Sequence, residues 1–205
     1  MAETGVGTSF VDKLDEGFGW IEDVRLQRTA HALAADGRVW LIDPFEAGGV
    51  EERVRGLGEP AGVIQLLNRH GRDAAALAGK LGVPLHVVPR TLPGTPFTLL
   101  PVASSRLWQE VALWWPERRI LVCGDALGTI PFFRAGSEQL GPHPLLRLFP
   151  PQALRGLAPL HVLVGHGAGR HGGSAGDEVD DALAHARRRI PRWLGGLRRV
   201  LGDRG

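Results

Sequence analysis

Residues of the types that bind metal ions directly follow three of the apolar strands that the sequence predicts. They are His70 and Asp73 after Val63–Leu67, Asp125 after Arg119–Cys123, and His166 after Leu160–Val164. Strand ends that meet at one edge of a sheet form a crevice. Two imidazoles and two carboxylates in such a crevice can hold a divalent metal ion. The sequence therefore indicates a candidate metal site at the ends of these strands.

The first of these strands belongs to a longer pattern that runs from Val63 to Gly82. The strand is followed by a polar elbow at residues 68–73 and then by alanines and leucines at helical spacing, which end at Gly82. An α/β protein usually has its site in a loop between a strand and a helix. We therefore predict that the elbow lines a cleft, although Asp73 could instead be the N-cap of the helix.

The remaining pattern predicts groups of strands with helices between them, and a polar lead-in over residues 1–17. Strands are predicted at 18–24, 26–34, 38–42, 63–67, 85–88, 97–102, 111–115, 119–123 and 160–164. Helices are predicted at 50–57, 74–81, 145–157, 177–190 and 192–201, and the third of these could be broken at Pro150-Pro151. Strands in such an excess form a mixed sheet system covered by helices, in the α/β (α+β) class. Because no low-complexity linker divides the chain, we expect a single domain over residues 1–205.

The composition is ordinary for a globular protein. Apolar residues make up 43% of the 205 residues and charged residues 22%. No apolar run approaches the roughly 20 residues that span a bilayer, and the N-terminus lacks the pattern of a signal peptide. Cys123 is the single cysteine, so an internal disulfide is excluded. These features predict a cytoplasmic protein.

The net charge of +2 gives little support to nucleic-acid binding. The C-terminus is rich in arginine from Arg187 to Arg199, but apolar residues interleave with the arginines at helical spacing. This pattern is typical of an amphipathic surface helix, and we interpret it that way.

Four pieces of the chain, in this order and spacing, resemble the metallo-β-lactamase superfamily. They are HALAADGRVWLIDP at His31–Pro44, the strand, elbow and helix at 63–82, EVALWWPERRILVCGD at Glu110–Asp125 and LHVLVGHG at Leu160–Gly167. The resemblance implies a four-layer αββα sandwich. It also implies metal-dependent hydrolysis, in which a metal-bound water attacks an ester, amide, thioester or phosphodiester.

The elbow departs from the superfamily's ligand pattern, which is His-x-His-x-Asp-His. The correspondences are Asn68 at the first histidine, His70 at the second, Arg72 at the aspartate, Asp73 at the last histidine, Arg106 at a further histidine, Asp125 at the bridging carboxylate and His166 at the final histidine. A guanidinium stays protonated and cannot ligate a cation. It can instead neutralise Asp73 or Asp125 through paired hydrogen bonds.

Two functions remain open at this point. The first is a hydrolase with a degenerate site that holds at most one divalent ion (zinc, iron or manganese) through some of His70, Asp73, Asp125 and His166. The second is a metal-free pseudoenzyme that binds an anionic ligand in the former cleft, with Asn68, Arg72 and Arg106 as the binding or charge-neutralising residues. The arginines favour a metal-free site slightly over one metal ion. Either function implies a small-molecule substrate or ligand without nucleic acid or membrane, and is compatible with a homodimer.

Overall fold

Two β-sheets form the centre of the computed structural model, which describes residues 7–202 and their side chains as far as residue 196. The first sheet has six strands, and neighbours in the chain are neighbours in the sheet: β1 (Thr8–Leu14), β2 (Gly17–Glu22), β3 (Thr29–Ala35), β4 (Arg38–Ile42), β5 (Glu59–Gln65) and β6 (Leu85–Val87).

The second sheet contains five strands. A separate two-stranded ribbon is formed by residues that lie in the sequence between the third and the fourth of these strands. The strands are β7 (Thr98–Ser104), β8 (Gln109–Trp115) and β9 (Ile120–Cys123), then β10 (Leu127–Gly128) and β11 (Gly141–Pro142) of the ribbon, then β12 (His161–Val164) and β13 (Arg170–His171). The spatial order of the second sheet is β13-β12-β9-β8-β7.

The two sheets pack face to face through buried apolar side chains. Because successive residues of a strand point to opposite faces, one set of side chains from β4 lies between the sheets and the other points outward. Trp40 and Ile42 pack against Leu113 and Val122 of the second sheet. Leu41 belongs to the outer cluster of the first sheet.

Helices cover the two outer faces. Helices α1 (Val50–Leu57) and α2 (Ala74–Leu81) pack on the first sheet, where Val54 and Ala78 contact the cluster that contains Trp20. On the other side, α3 (Ala175–Ala184) packs on the second sheet through Val179 and Leu183, and α4 (Ile190–Gly202) follows it. The order of layers is therefore helix, sheet, sheet, helix, and the predicted αββα sandwich is confirmed. Among the described residues, no helix is long and apolar enough to cross a membrane.

In each sheet, two parallel strands end at the same edge of the sandwich. Strands β4 and β5 run parallel in the first sheet, and β9 and β12 run parallel in the second. The edges are joined where the N–H of Thr29 donates to the carbonyl of Gly165 over 2.9 Å, and where Leu67 bridges to Glu110. The loops that follow these four strands consequently meet in one place.

Most predicted elements are present, and three predictions are corrected. Residues 8–14 form β1 where a lead-in was expected, whereas residues 1–6 lie outside the described part of the chain. The helix predicted at 145–157 is wrong: Pro144–Arg147 and Gln152–Leu154 are separate 3₁₀ turns. Pro150 and Pro151 lack the N–H groups that a continuous helix needs. Strand β13 lies between the strand predicted at 160–164 and the helix predicted at 177–190, where no element was predicted, and its two residues are too few for a periodic signal.

The arginine-rich C-terminus forms the predicted helix only from Ile190 onward, and residues 185–189, which were predicted to be helical, are turns between α3 and α4. The indole N–H of Trp193 donates to the carbonyl of Phe132 over 2.8 Å, so the start of α4 is attached to the loop beside the ribbon. The side chains of Arg198 and Arg199 lie outside the described residues.

A buried ion pair holds the long segment between β10 and β12. The Arg147 side chain is fully buried, and its Nη2 atom lies 2.6 Å from Oε2 of Glu138 and 2.6 Å from the carbonyl oxygen of Phe133. Arg189 approaches the same carboxylate over 3.1 Å. Removing one partner of a buried pair leaves the other charge without compensation.

We expect Arg147→Met to lower the free energy of unfolding by about 3–5 kcal/mol, because it leaves the Glu138 carboxylate buried with less compensation. The measurement is equilibrium denaturation with urea. Arg155→Met, at an exposed arginine, is the matched control and should change stability by no more than about 0.5 kcal/mol. Equal losses in the two variants would show that the buried pair does not anchor the segment.

Candidate metal centre

His70, Asp125 and His166 come together where the parallel strand pairs end. The Nε2 atoms of His70 and His166 each lie 3.1 Å from Oδ1 of Asp125, and the three side chains are only 10–12% exposed. Among the residues that the structure describes, this is the single group of three or more potential ligands with atoms within 4.8 Å of one another. The fold thus assembles three of the four predicted metal ligands.

The loops that carry Asp125 and His166 approach each other closely. The N–H of Gly165 donates to the carbonyl of Gly124 over 3.1 Å. A Cβ atom on Gly165 would lie only 2.7 Å from that carbonyl oxygen, a distance that side chains do not tolerate. Glycine at this position therefore lets His166 reach Asp125.

Hydrogen bonds on the far side of each ring fix the orientation of both imidazoles. Nδ1 of His70 lies 2.9 Å from Oδ2 of Asp43, and Nδ1 of His166 lies 2.7 Å from the carbonyl oxygen of Leu26. Because a carbonyl oxygen can only accept, Nδ1 of His166 carries the hydrogen, and its Nε2 can present a lone pair when the ring is neutral. Such partners behind an imidazole are typical of metal-ligating histidines.

The carboxylate between the two rings lacks a donor. Oδ1 of Asp125 is buried and has no hydrogen-bond partner in the described part of the chain. The Nε2 atoms of His70 and His166 both lie 3.1 Å from it, but neither contact has hydrogen-bond geometry. A buried oxygen without a partner is costly. Two imidazole nitrogens and this oxygen are the donor set that a divalent ion would satisfy, so the residues fit a metal ion.

The charges of the cluster depend strongly on one another. Burial alone would raise the pKa of Asp125, but the imidazoles of His166 and His70 outweigh burial and hold that pKa well below its usual range. Burial likewise opposes the charged form of His70, yet the carboxylates of Asp125 and Asp43 raise its pKa from 6.5 to about 9. Without a metal ion, His70 is therefore an imidazolium at neutral pH.

Asp43 positions the first histidine from the end of β4. Its Oδ1 atom accepts the backbone N–H of Leu66 over 2.8 Å, while its Oδ2 atom faces His70. The residue has a positive φ of 46°, which turns the chain sharply after the strand. Asp43 thus ties the end of β4 to the elbow that follows β5.

Glu110 forms a hydrogen bond with the backbone of the loop that carries Asp125. This fully buried residue accepts the indole N–H of Trp108 over 2.8 Å and the backbone N–H of Ala126 over 2.7 Å. Burial, reinforced by the charge of Asp125, raises its pKa from 4.5 to about 8. Sequence analysis did not single out Glu110, because an acidic residue at the start of a strand has no distinctive pattern.

His143 lies in an aromatic environment close to the cluster. Its ring makes edge contacts with Trp108, Phe132 and Phe133, at centroid distances of 4.7, 5.8 and 5.6 Å. Burial lowers its pKa from 6.5 to about 4, so the ring is neutral. Nδ1 accepts the N–H of Leu145 over 3.2 Å, which leaves Nε2 as the hydrogen-bond donor.

The remaining predicted residues lie outside the cluster. Asp73 precedes α2, and its Oδ2 atom accepts the backbone N–H of Glu46 over 2.8 Å. Oδ1 of Asn68 accepts the N–H of Gln109 over 3.2 Å. Arg106 is exposed in the turn between β7 and β8.

Arg72 has a structural role that differs from the expected pairing with Asp73 or Asp125. Its Nη1 atom donates to the carbonyl oxygens of Thr29 and Asp43, both over 2.7 Å, and its Nη2 atom donates to that of Gly165 over 3.2 Å. The guanidinium therefore joins backbone segments from both sheets at the base of the site.

Arg69 is the arginine that reaches the cluster, and sequence analysis missed it. Its guanidinium lies 3.6 Å from Oδ2 of Asp125 and 4.7 Å from the ring centre of Trp108. The side chain is about half exposed, at 49%. Its position beside His70 in the elbow was the available signal, but the direction of the side chain depends on contacts with the second sheet.

The comparisons with known proteins agree with this architecture. No protein-family model and no curated protein sequence match the chain. Among solved structures, the DIM-1 metallo-β-lactamase exposed to ceftazidime matches with a TM-score of 0.59 and 12% identity, over 88% of this chain and 99% of that one. The metallo-β-lactamase FIM-1 from Pseudomonas aeruginosa, in its mono-zinc form, matches with a TM-score of 0.53 and 8% identity, over 88% and 96%.

A protein of a different kind matches equally well. The apo state of the chemotaxis sensor ODP from T. denticola has a TM-score of 0.55 and 13% identity, over 88% of this chain and 95% of that chain. The chain therefore has the metallo-β-lactamase fold, as the sequence predicted. Identities this low establish the fold alone, since this fold occurs here in both lactamases and a sensor.

We expect the His70 ring of metal-free protein to titrate near pH 9, because the carboxylates of Asp125 and Asp43 stabilise the imidazolium. Folding raises this pKa, so the stabilisation is complete below about 6.5 and is lost as the pH rises through 9. NMR titration of the ring protons measures the midpoint, and Asp43→Asn should lower it. A midpoint at or below 6.5 in the wild-type protein would contradict the charge arrangement.

Proposed function

We propose that the protein is a metal-dependent hydrolase that uses one divalent ion, held by His70, Asp125 and His166. The observation that carries this proposal is the buried Oδ1 atom of Asp125, which has two imidazole Nε2 atoms 3.1 Å away and no hydrogen-bond donor among the described residues. Three protein ligands leave a coordination position open, as in catalytic rather than structural metal sites.

A single ion is proposed because the residues that could hold a second are engaged elsewhere. Asn68 and Asp73 accept backbone N–H groups, and Arg72 donates to backbone carbonyls at the base of the site. The guanidinium of Arg72 would also repel a second cation. We propose zinc, iron or manganese as the ion, because two imidazoles and one carboxylate suit all three.

When bound, the divalent ion would supply Lewis acidity and lower the pKa of a water ligand toward about 7. The protein's own residues would bind and orient the substrate. Arg69, held over Trp108, offers a positive charge at the entrance, and the neutral ring of His143 offers the Nε2–H as a hydrogen-bond donor. These two groups favour a substrate with an anionic or strongly polar group next to the bond that is cleaved.

A metal-free binding protein is the second candidate. The observation in its favour is the raised pKa of His70, which makes this ring cationic at neutral pH beside the guanidinium of Arg69. Such a cluster could hold an anionic small molecule without catalysing a reaction. Arg72 is less suited to this role than the sequence suggested, because both of its Nη atoms already donate to carbonyl oxygens.

We expect protein prepared without an affinity tag to contain close to one equivalent of divalent metal, and Asp125→Ala and His166→Ala to lose it, because each variant removes a ligand. Elemental analysis by mass spectrometry gives the stoichiometry. Asp73→Ala is the matched control, and should keep its metal because this carboxylate lies outside the cluster. A metal-free protein whose melting temperature ignores added zinc, iron and manganese would overturn the single-ion proposal.

We expect the metal-loaded protein to hydrolyse at least one of a panel of chromogenic esters, thioesters and phosphodiesters, and His143→Phe to lower kcat/KM by about 10–100-fold. The reason is the loss of the Nε2–H donor, while the phenyl ring preserves the aromatic contacts. Metal content should be unchanged in this variant. If the metal-loaded protein cleaves none of the panel but its melting temperature rises with an anion such as phosphate, the binding protein is favoured.

A further inference from the structure

A second cluster of histidines lies apart from the candidate metal centre. His161 in β12 and His171 in β13 are register partners across an antiparallel strand pair. Their Nδ1 atoms face each other at a distance of 3.0 Å. His161 is partly buried, and the side chain of His171 is 35% exposed, so this pair is open to solvent.

A buried carboxylate fixes the second ring of the pair. Oδ1 of Asp12 lies 3.0 Å from Nε2 of His171 and also accepts the N–H of Gly169 over 2.8 Å. Oδ2 of Asp12 lies 3.1 Å from Nε2 of His31. Burial opposes the ionised form, but these donors outweigh it and hold the pKa of Asp12 well below its usual range. Since a carboxylate only accepts, Nε2 of His171 carries a hydrogen, and Nδ1 of the neutral ring presents a lone pair to His161.

Nδ1 of His161 is the donor in the hydrogen bond between the two rings, so this nitrogen becomes a ligand when its hydrogen moves to Nε2 of the neutral ring. Burial and the neighbouring His171 lower the pKa of His161 from its ordinary value. The carboxylate of Glu16, which forms an ion pair with Arg118 over 3.2 Å, acts on the pKa of the same ring in the opposite direction. A neutral imidazole beside a carboxylate is a suitable environment for a cation, whereas two imidazolium ions so close together would repel each other.

The distance between the two nitrogens matches shared coordination. With metal–nitrogen bonds of about 2.0–2.1 Å, two ligands of one ion are about 2.9 Å apart in a square-planar arrangement and about 3.3 Å apart in a tetrahedral one. The observed 3.0 Å lies between these limits. The carboxylate of Asp12 behind His171 is the arrangement that orients and strengthens a ligating imidazole.

We propose that His161 and His171 form a second metal site, which takes one copper(II), nickel or zinc ion through their two Nδ1 atoms, with water as the other ligands. The ion would join β12 to β13, and through Asp12 to β1 of the other sheet. Imidazole ligands select late first-row metals, so copper(II) should bind more tightly than zinc. This proposal uses none of the residues of the candidate metal centre and is independent of the proposed function.

Titration of copper(II) and of zinc into the double variant Asp125→Ala, His166→Ala isolates the second site, and calorimetry gives its stoichiometry and affinity. We expect one equivalent to bind, and His161→Gln or His171→Gln in the same background to weaken binding at least tenfold. Electron paramagnetic resonance of the copper form should show hyperfine coupling to two imidazole nitrogens. His86→Gln is the matched control, at a histidine of β6 outside both clusters, and should leave the affinity unchanged.

Two results would overturn the proposal. In the first, neither copper(II) nor zinc binds to the double variant. In the second, an ion binds, but His161→Gln and His171→Gln do not change its affinity. Either result would mean that the two histidines form only an imidazole–imidazole hydrogen bond. If the double variant does not fold, the same comparison is made in the wild-type background, where each glutamine variant should bind one equivalent less than wild type. A wild-type protein that binds an ion at His161 and His171 but none at His70, Asp125 and His166 would disprove the proposed function and leave this second site intact.

Discussion

The contacts of Asp43 are the interactions on which the candidate site depends. One oxygen of its carboxylate accepts the N–H of Leu66, the other faces Nδ1 of His70, and its backbone carbonyl accepts a hydrogen bond from Arg72. A single residue at the end of β4 thus fixes the elbow, the ring that faces Asp125 and the guanidinium at the base. Because buried polar groups stabilise only when each is paired, the loss of one member of this network would disturb the others.

The residues that occupy the elbow in place of metal ligands have a common structural role. Arg72 keeps its positive charge, but its Nη atoms donate to the carbonyl oxygens of Thr29, Asp43 and Gly165 at the base of the site and not to Asp125. Asn68 likewise satisfies a backbone N–H. The positions that could have held a second ion therefore contribute to the scaffold, and His70, Asp125 and His166 keep a ligand-like geometry.

Prediction from sequence succeeded where a pattern repeats locally. Helices at 50–57 and 74–81 and the strand at 38–42 have the predicted bounds, since apolar spacing and glycine stops act within a few residues. It failed over 145–157, where an apolar helical pattern competes with prolines, and over β1 and β13, which are edge strands and pair with a single neighbouring strand each. An edge strand forms because its one neighbour offers hydrogen-bonding groups, and the residues of the strand carry no pattern that shows this neighbour.

The sequence alone determined the fold and the residues that end the central strands, because hydrophobic periodicity and the order of motifs specify which segments are buried. Only the tertiary structure decided which polar side chains meet. It separated Asp73 from the candidate cluster, brought Arg69 instead of Arg72 to Asp125, and set Asp12 of one sheet against His171 of the other. Side-chain direction at a strand end depends on φ and ψ of a few loop residues and on contacts across the sheets, and neither is encoded in residue type and spacing.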